Sequence, residues 1–116
     1  MRILQNMKCV PYRDGETPVP EDEISELIPQ IPDWVVIKIN GIGHLKRQFE
    51  FSNFVQSLEF TNKIGCIAEE EKHHPAILTE WGRVTVEWWT HKIKGLHQND
   101  FVMAAKTDEL YAKSPD

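Results

Sequence analysis

A proline decides how this chain is divided. From residue 52 to residue 72 apolar side chains recur at helical spacing, with Phe54, Val55, Leu58, Ile64, Ile67 and Ala68 forming one side. At His73-His74-Pro75 that period ends, and from Ile77 onward apolar and polar residues alternate with period two. Proline drives the residue before it out of the α region, so His74 is expected to be extended and His73 to close the helix. A long helix feeding directly into strands restricts the fold to one in which a sheet carries helices.

The flanking elements fit that frame. Residues 21–30 predict a short helix, with Glu21, Asp22 and Glu23 complementing the dipole, Ile24, Leu27 and Ile28 as the apolar stripe, and Pro29 and Pro32 marking its end. A strand over 34–39 leads through an Asn40-Gly41-Ile42-Gly43 turn into a strand over 45–51, where Leu45, Phe49 and Phe51 share the inward face. Ser52 is the expected N-cap of the long helix. A second hairpin, 77–81 and 84–90, turns at Gly82-Arg83, placing Val84, Val86 and Trp88 on one face and Thr85, Glu87, Trp89 and His91 on the other. The last helix, 98–113, has Asp100 in its first turn. This order predicts an α+β fold: a single four-stranded antiparallel sheet of two hairpins with about three helices packed on one face. Residues 1–19, with Pro11, Asp14-Gly15 and Pro18, read as an irregular lead that adds little to the core, ahead of one domain over 20–116.

Several function classes are disfavoured at this level. A formal net charge of −5 with no basic block lacks the footprint of direct nucleic-acid binding. No stretch approaches the length of a membrane span, and the start, Met1 to Lys8, lacks the apolar run of a secretory signal. Cys9 and Cys66, far apart, do not suggest a disulfide framework, and a reducing cytoplasm is the expected setting.

The chemistry-bearing residues cluster around the proline. His91 lies seventeen residues after His74, room for a strand, a tight turn and a returning strand, and a hairpin brings its far end back to its beginning. Three imidazoles, His73, His74 and His91, can therefore share one site, an acid/base set suited to neutral pH. Histidine is also an ordinary surface or hydrogen-bonded core residue, and His44 and His97 are read that way. Glu69, Glu70 and Glu71 resemble a solvated face, of which only one would point toward the site. Asp100 fits the helix dipole alone, and Trp81, Trp88 and Trp89 fit sheet packing or subunit contacts. No His-x-x-x-His on a helix and no Cys pair is present, so no metal is expected.

Taken together, Glu69 or Glu70, His73-His74-Pro75, Trp81, Thr90-His91, Gly95-Leu96 and Asp100 resemble the pattern of the pterin-4a-carbinolamine dehydratases, also called 4a-hydroxytetrahydrobiopterin dehydratases, in their bacterial branch. The likeness covers about residues 20–112. Two departures stand out: Ala76-Ile77-Leu78 follows the proline where many animal members place an aromatic, and Cys9-Val10-Pro11-Tyr12 keeps only the first thiol of a Cys-x-x-Cys found in some bacterial relatives. The resemblance implies a hydro-lyase that removes water from a 4a-hydroxytetrahydropterin to give the quinonoid dihydropterin, needing no cofactor. It implies His73, His74 and His91 as catalytic, with Glu69, Glu70, Pro75, Trp81, Thr90 and Asp100 binding or orienting substrate. Homodimers or homotetramers, and a functional link to an aromatic amino-acid hydroxylase whose tetrahydropterin is regenerated, are implied in the same way. A different class is implied too: relatives serve as a dimerisation cofactor of a homeodomain transcription factor or, lacking the His pair, as assembly factors for a carboxylase.

Overall fold

The structure, a computed structural model, describes residues 3–13 and 15–114. Asp14, half of the expected Asp14-Gly15 turn, lies outside the described residues. Seven principal elements follow in order: α1 (Glu21–Leu27), β1 (Val35–Ile39), β2 (Ile42–Glu50), α2 (Phe54–Glu71), β3 (Ala76–Glu80), β4 (Arg83–Trp88) and α3 (Gln98–Ala112). The strands form one antiparallel sheet in the order β1-β2-β4-β3, two hairpins joined through β2 and β4. The expected α+β fold is the fold observed.

Period two puts Leu45 and Phe49 of β2 opposite Trp88 and Val84 of β4. All four are buried beneath Phe60, Ile64 and Ala68 of α2 and the run Phe101 to Ala105 of α3. Each such side chain contributes roughly 1.5–3 kcal/mol of burial. Phe49 sits at the middle, with the Phe60 and Tyr111 rings each 4.9 Å away and Trp34 edge-on at 6.0 Å.

Local differences from the sequence reading have identifiable causes. The first hairpin turns on Asn40 and Gly41 alone, both at positive φ (52° and 79°), so Ile42 and Gly43 already belong to β2. A two-residue turn of that kind matches the twist of the strands it joins. The N-cap of α2 is Asn53, not Ser52; its side chain accepts from the Gln56 N–H, while the Ser52 N–H donates to the Gln56 side chain. Lys72, not His73, closes α2, adopting the left-handed conformation at φ 57°. Phe54, Val55 and Leu58 do not face the core: they are exposed, and the inward stripe is Ser57, Phe60, Ile64 and Ala68. The second hairpin turns at Trp81-Gly82, one residue earlier than expected, with Glu80 paired to Arg83. Strand β4 ends at Trp88, short of Thr90.

The lead segment is not peripheral to the core. Leu4, in a one-turn 3-10 helix (Leu4–Asn6), is buried in the main cluster, with Met7, Cys9 and Val19 packed against it. An apolar side chain that finds an enclosed site gains burial energy whatever the regularity of its backbone.

Candidate active site

Of the expected catalytic residues, His73 stands where α2 stops and α3 starts. Because Lys72 turns left-handed, the His73 N–H folds back to the Ala68 carbonyl at 3.1 Å. The His73 imidazole then lies nearly parallel to the Trp88 indole, 5.8 Å between centroids. Its Nε2–H donates to Asp100 Oδ1 at 2.5 Å. Asp100 is fully buried at the third position of α3. Its second oxygen accepts from the Thr90 hydroxyl at 2.8 Å and from the His97 N–H at 2.9 Å. Three donors on one carboxylate are what make its burial tolerable. Asp100 thus does two things: it completes the capping box of α3 and orients His73.

His74 is exposed, and its Nε2 lies 2.5 Å from Glu69 Oε2, one turn back along α2. Each of the adjacent histidines therefore has its own carboxylate. Among the described residues neither ring hydrogen-bonds through Nδ1, so in each ring Nε2 alone is engaged by the protein.

His91 falls in a different setting. After β4, Thr90 and Gly95 form an isolated bridge, and the loop between them is a 3-10 turn (His91–Ile93) closed by Lys94 at φ 54°. His91 is exposed and tilts over the Trp89 ring at 4.6 Å, and Trp89 stacks parallel on His44 at 4.0 Å. His44 is buried and paired with Glu87 at 2.9 Å, and His97 is buried as the N-cap of α3, bonded to the Asn99 N–H and to Glu16. Both are hydrogen-bonded structural histidines, as the sequence suggests. His91 is tied to His73 through its neighbour Thr90, which shares Asp100 with it.

Glu70, Glu71 and His73 line a cavity of about 380 Å³, together with Lys8 to Tyr12 and Asn99. That size suits a small ligand. A larger hollow of about 830 Å³, on the far side of Val10 to Arg13, contains none of His73, His74 and His91. Its one imidazole, His97, is already committed to Glu16 and the α3 cap, so the smaller cavity is the chemically equipped one. Glu71 does not belong to a solvated face: it accepts the Cys9 N–H at 2.8 Å. The carboxylate run accordingly sends more than one member toward the site. Burial, reinforced by the negative charges of Glu71 and Asp100, pushes the Cys9 thiol up to about 12, leaving it a neutral packing group.

Trp81 is not brought to this place. It is 69% exposed at the β3–β4 turn, and β3 runs between it and Pro75, roughly 20 Å at strand rise. Its carbonyl accepts from the Ser57 hydroxyl at 3.3 Å. Among the described residues no group of three or more His, Cys, Asp or Glu side chains is arranged to hold a metal ion.

Residues 17–110 match the family model described as pterin 4 alpha carbinolamine dehydratase. The chain belongs to that family. It is 58% identical over 110 residues to a protein of Nitrosococcus oceani, covering 95% of this chain and 97% of that one. It is 51% identical over 111 residues to one of Microcystis aeruginosa, covering 96% of each. Both carry the provisional name pterin-4-alpha-carbinolamine dehydratase. Among solved structures it is similar to a transcriptional coactivator/pterin dehydratase from Brucella melitensis: TM-score 0.73 at 27% identity, over 82% of this chain and 99% of that one. A pterin dehydratase-like protein identified as a RuBisCO assembly factor in the alpha-carboxysome shares the fold at 21% identity, TM-score 0.59, over 72% of this chain and 93% of that one.

Proposed function

We propose that this protein dehydrates 4a-hydroxytetrahydropterin, such as 4a-hydroxytetrahydrobiopterin, to the quinonoid dihydropterin. The observation that carries the reading is the His73 imidazole, oriented by the buried Asp100 and lining a cavity of about 380 Å³. In this reaction the nitrogen lone pair beside the carbinol carbon expels the hydroxyl, which must be protonated as it leaves, and a ring N–H proton must then be removed. No electrons change hands. His73 and His74, each donating Nε2–H to a carboxylate, keep a lone pair at Nδ1, and one of the two, His73 or His74, acts as base at the pterin nitrogen. His91, exposed on the adjoining turn, supplies the acid for the leaving hydroxyl. Glu69, Glu70 and Asp100 orient the rings and stabilise the transient cation, and Thr90 and Pro75 hold Asp100 and the His pair in position.

The test is stopped-flow absorbance on freshly generated 4a-hydroxytetrahydropterin, comparing the parent with His73→Ala, His74→Ala and His91→Ala. Losses of roughly 10²- to 10⁴-fold are expected where a ring transfers a proton. Absence of any acceleration over buffer by the parent would sink the proposal. The enzyme works in the cytoplasm, in support of an aromatic amino-acid hydroxylase that generates the carbinolamine; both cysteines are free, in keeping with a reducing compartment. No helix among the described residues is long and apolar enough to cross a membrane.

Exposed Phe54, Val55 and Leu58 on α2 support a second element of the reading, association of this chain with itself as a dimer or tetramer. Light scattering giving a monomer mass at micromolar concentration would remove it. The same exposed surface suits the alternative of an assembly cofactor for another protein. That alternative gains only if a stable partner is captured through α2 while dehydration is absent.

A further inference from the structure

We infer that the segment Lys8 to Tyr12 is a wall of the catalytic cavity and that Tyr12 is a substrate-contacting residue. The inference rests on the dehydratase reading of that cavity. The segment precedes residues 17–110, so nothing in the family match assigns it a role. Its residues nonetheless line the same cavity as His73.

The segment is fastened at both ends and in the middle. At the near end Leu4 is buried in the core and its N–H donates to the Gln30 side chain at 2.9 Å. At the far end the Val19 N–H donates to the Leu96 carbonyl at 2.8 Å, and Pro18 packs so closely on Gly95 that a Cβ there would lie 2.9 Å from the proline ring. Between them, Val10 and Asn99 exchange two hydrogen bonds: the Val10 N–H donates to Asn99 Oδ1 at 2.9 Å and Asn99 Nδ2 donates to the Val10 carbonyl at 2.7 Å. The Cys9 N–H donates to Glu71. Both fastening side chains are neighbours of the catalytic groups, since Asn99 precedes Asp100 and Glu71 ends α2 two residues before His73. A segment held this way is preorganised and costs little further ordering when a ligand arrives.

Tyr12 occupies the informative position. It lines the His73 cavity, and the Lys92 ammonium sits 5.2 Å above its ring centroid. Lys92 directly follows His91. Tyr12 therefore bridges the two turns that carry the proposed base and acid. A flat, bicyclic, hydrogen-bonding substrate such as a pterin is held well by one aromatic face with polar edges around it. The Val10 and Asn99 exchange fixes where that face stands.

An interaction made equally with substrate and transition state lowers KM without raising kcat. Tyr12→Ala is accordingly expected to raise KM for 4a-hydroxytetrahydropterin about tenfold with kcat within about threefold, and Tyr12→Phe, keeping the ring, to stay within about threefold in both. In parallel, hydrogen exchange of the Cys9 and Val10 amides in the parent protein is expected to slow on addition of 7,8-dihydropterin, a readout that needs no turnover. If the parent dehydrates the substrate but KM of Tyr12→Ala is unchanged, or the two amides exchange at the same rate with and without dihydropterin, the wall is not part of the site and the inference is overturned. If the parent neither binds dihydropterin nor accelerates dehydration, the dehydratase reading itself fails and takes the inference with it.

Discussion

Replacing Asp100 by Asn separates the two jobs this carboxylate performs. The amide is isosteric, so its oxygen can take the place of Oδ2 and keep the Thr90 hydroxyl and the His97 N–H satisfied. The NH2 group must then face His73 Nε2, which can no longer donate and must accept, moving the ring proton to Nδ1. Charge-assisted hydrogen bonds exceed neutral ones by about 1 kcal/mol each, and all three of Asp100's bonds become neutral, so a stability loss of roughly 3 kcal/mol is expected. For a domain of this size that is a fall in Tm of about 9–15 °C. The catalytic loss is larger, because the nitrogen proposed to accept the substrate proton is now itself protonated: roughly 10²- to 10⁴-fold in kcat. Asp100→Ala is a harsher change. It leaves a buried hydroxyl and a buried N–H without an acceptor, at about 1–3 kcal/mol each, a large share of a stability on the order of 5–15 kcal/mol. The assays are stopped-flow dehydration at 25 °C, thermal unfolding by circular dichroism, and the ring-nitrogen chemical shifts of His73. A variant that keeps kcat within threefold while the ring nitrogens of His73 exchange roles would refute the argument that the tautomer set by Asp100 matters.

Other expectations follow from exposure and charge. Glu69→Gln should cost at most about 1 kcal/mol, since the Glu69–His74 pair is exposed, yet slow dehydration about tenfold if His74 must be oriented; equal rates would assign the pair to the surface. Arg47→Ala removes the 2.6 Å partner of Asp108, whose carboxyl is already pushed up by burial, and should destabilise by roughly 2–3 kcal/mol at pH 7. A raised carboxyl binds its proton more readily in the native state, so the deficit of this variant should shrink as pH falls through the native carboxyl's titration; a constant deficit in denaturant melts from pH 7 to pH 4 would contradict this. The Cys9 thiol, raised from 9.0 to about 12, keeps its proton in the native state while the unfolded chain loses it. Stability should therefore decline as pH rises above about 9, and Cys9→Ala should flatten that decline. At pH 8 a thiol reagent should modify exposed Cys66 well before Cys9, checked by peptide mass spectrometry.

The legible parts of this protein are those whose cause is local. Alternation along 84–88, the φ preferences of Asn40-Gly41 and the helix stop before Pro75 act within a few residues, and each places its element within a residue or two of where it stands. The His73-His74-Pro75 and Thr90-His91 runs stand out as a candidate site because residue types suited to proton transfer are uncommon in such a cluster. The inward face of α2 was misread, since Phe54, Val55 and Leu58 satisfy helical spacing as well as Ser57, Phe60 and Ile64 do. Periodicity counts apolar residues on a helix; the sheet beneath decides which of two stripes it covers.

By itself the sequence determined the order of elements and the antiparallel hairpins, and it offered His73, His74 and His91 as candidate acid/base residues, because these depend on backbone preferences and side-chain chemistry at neighbouring positions. Tertiary structure alone decided that Asp100 bonds His73 rather than only capping α3, that Glu71 fastens Cys9, and that Trp81 stands a strand's length from the cavity. It also turned an irregular lead into a packed segment beside His73. Those contacts join residues 27 and 62 positions apart, and no local preference specifies them. They form because burying a carboxylate or an amide is tolerable only where a partner is already in place, and that place exists only once the sheet and its helices have closed around it.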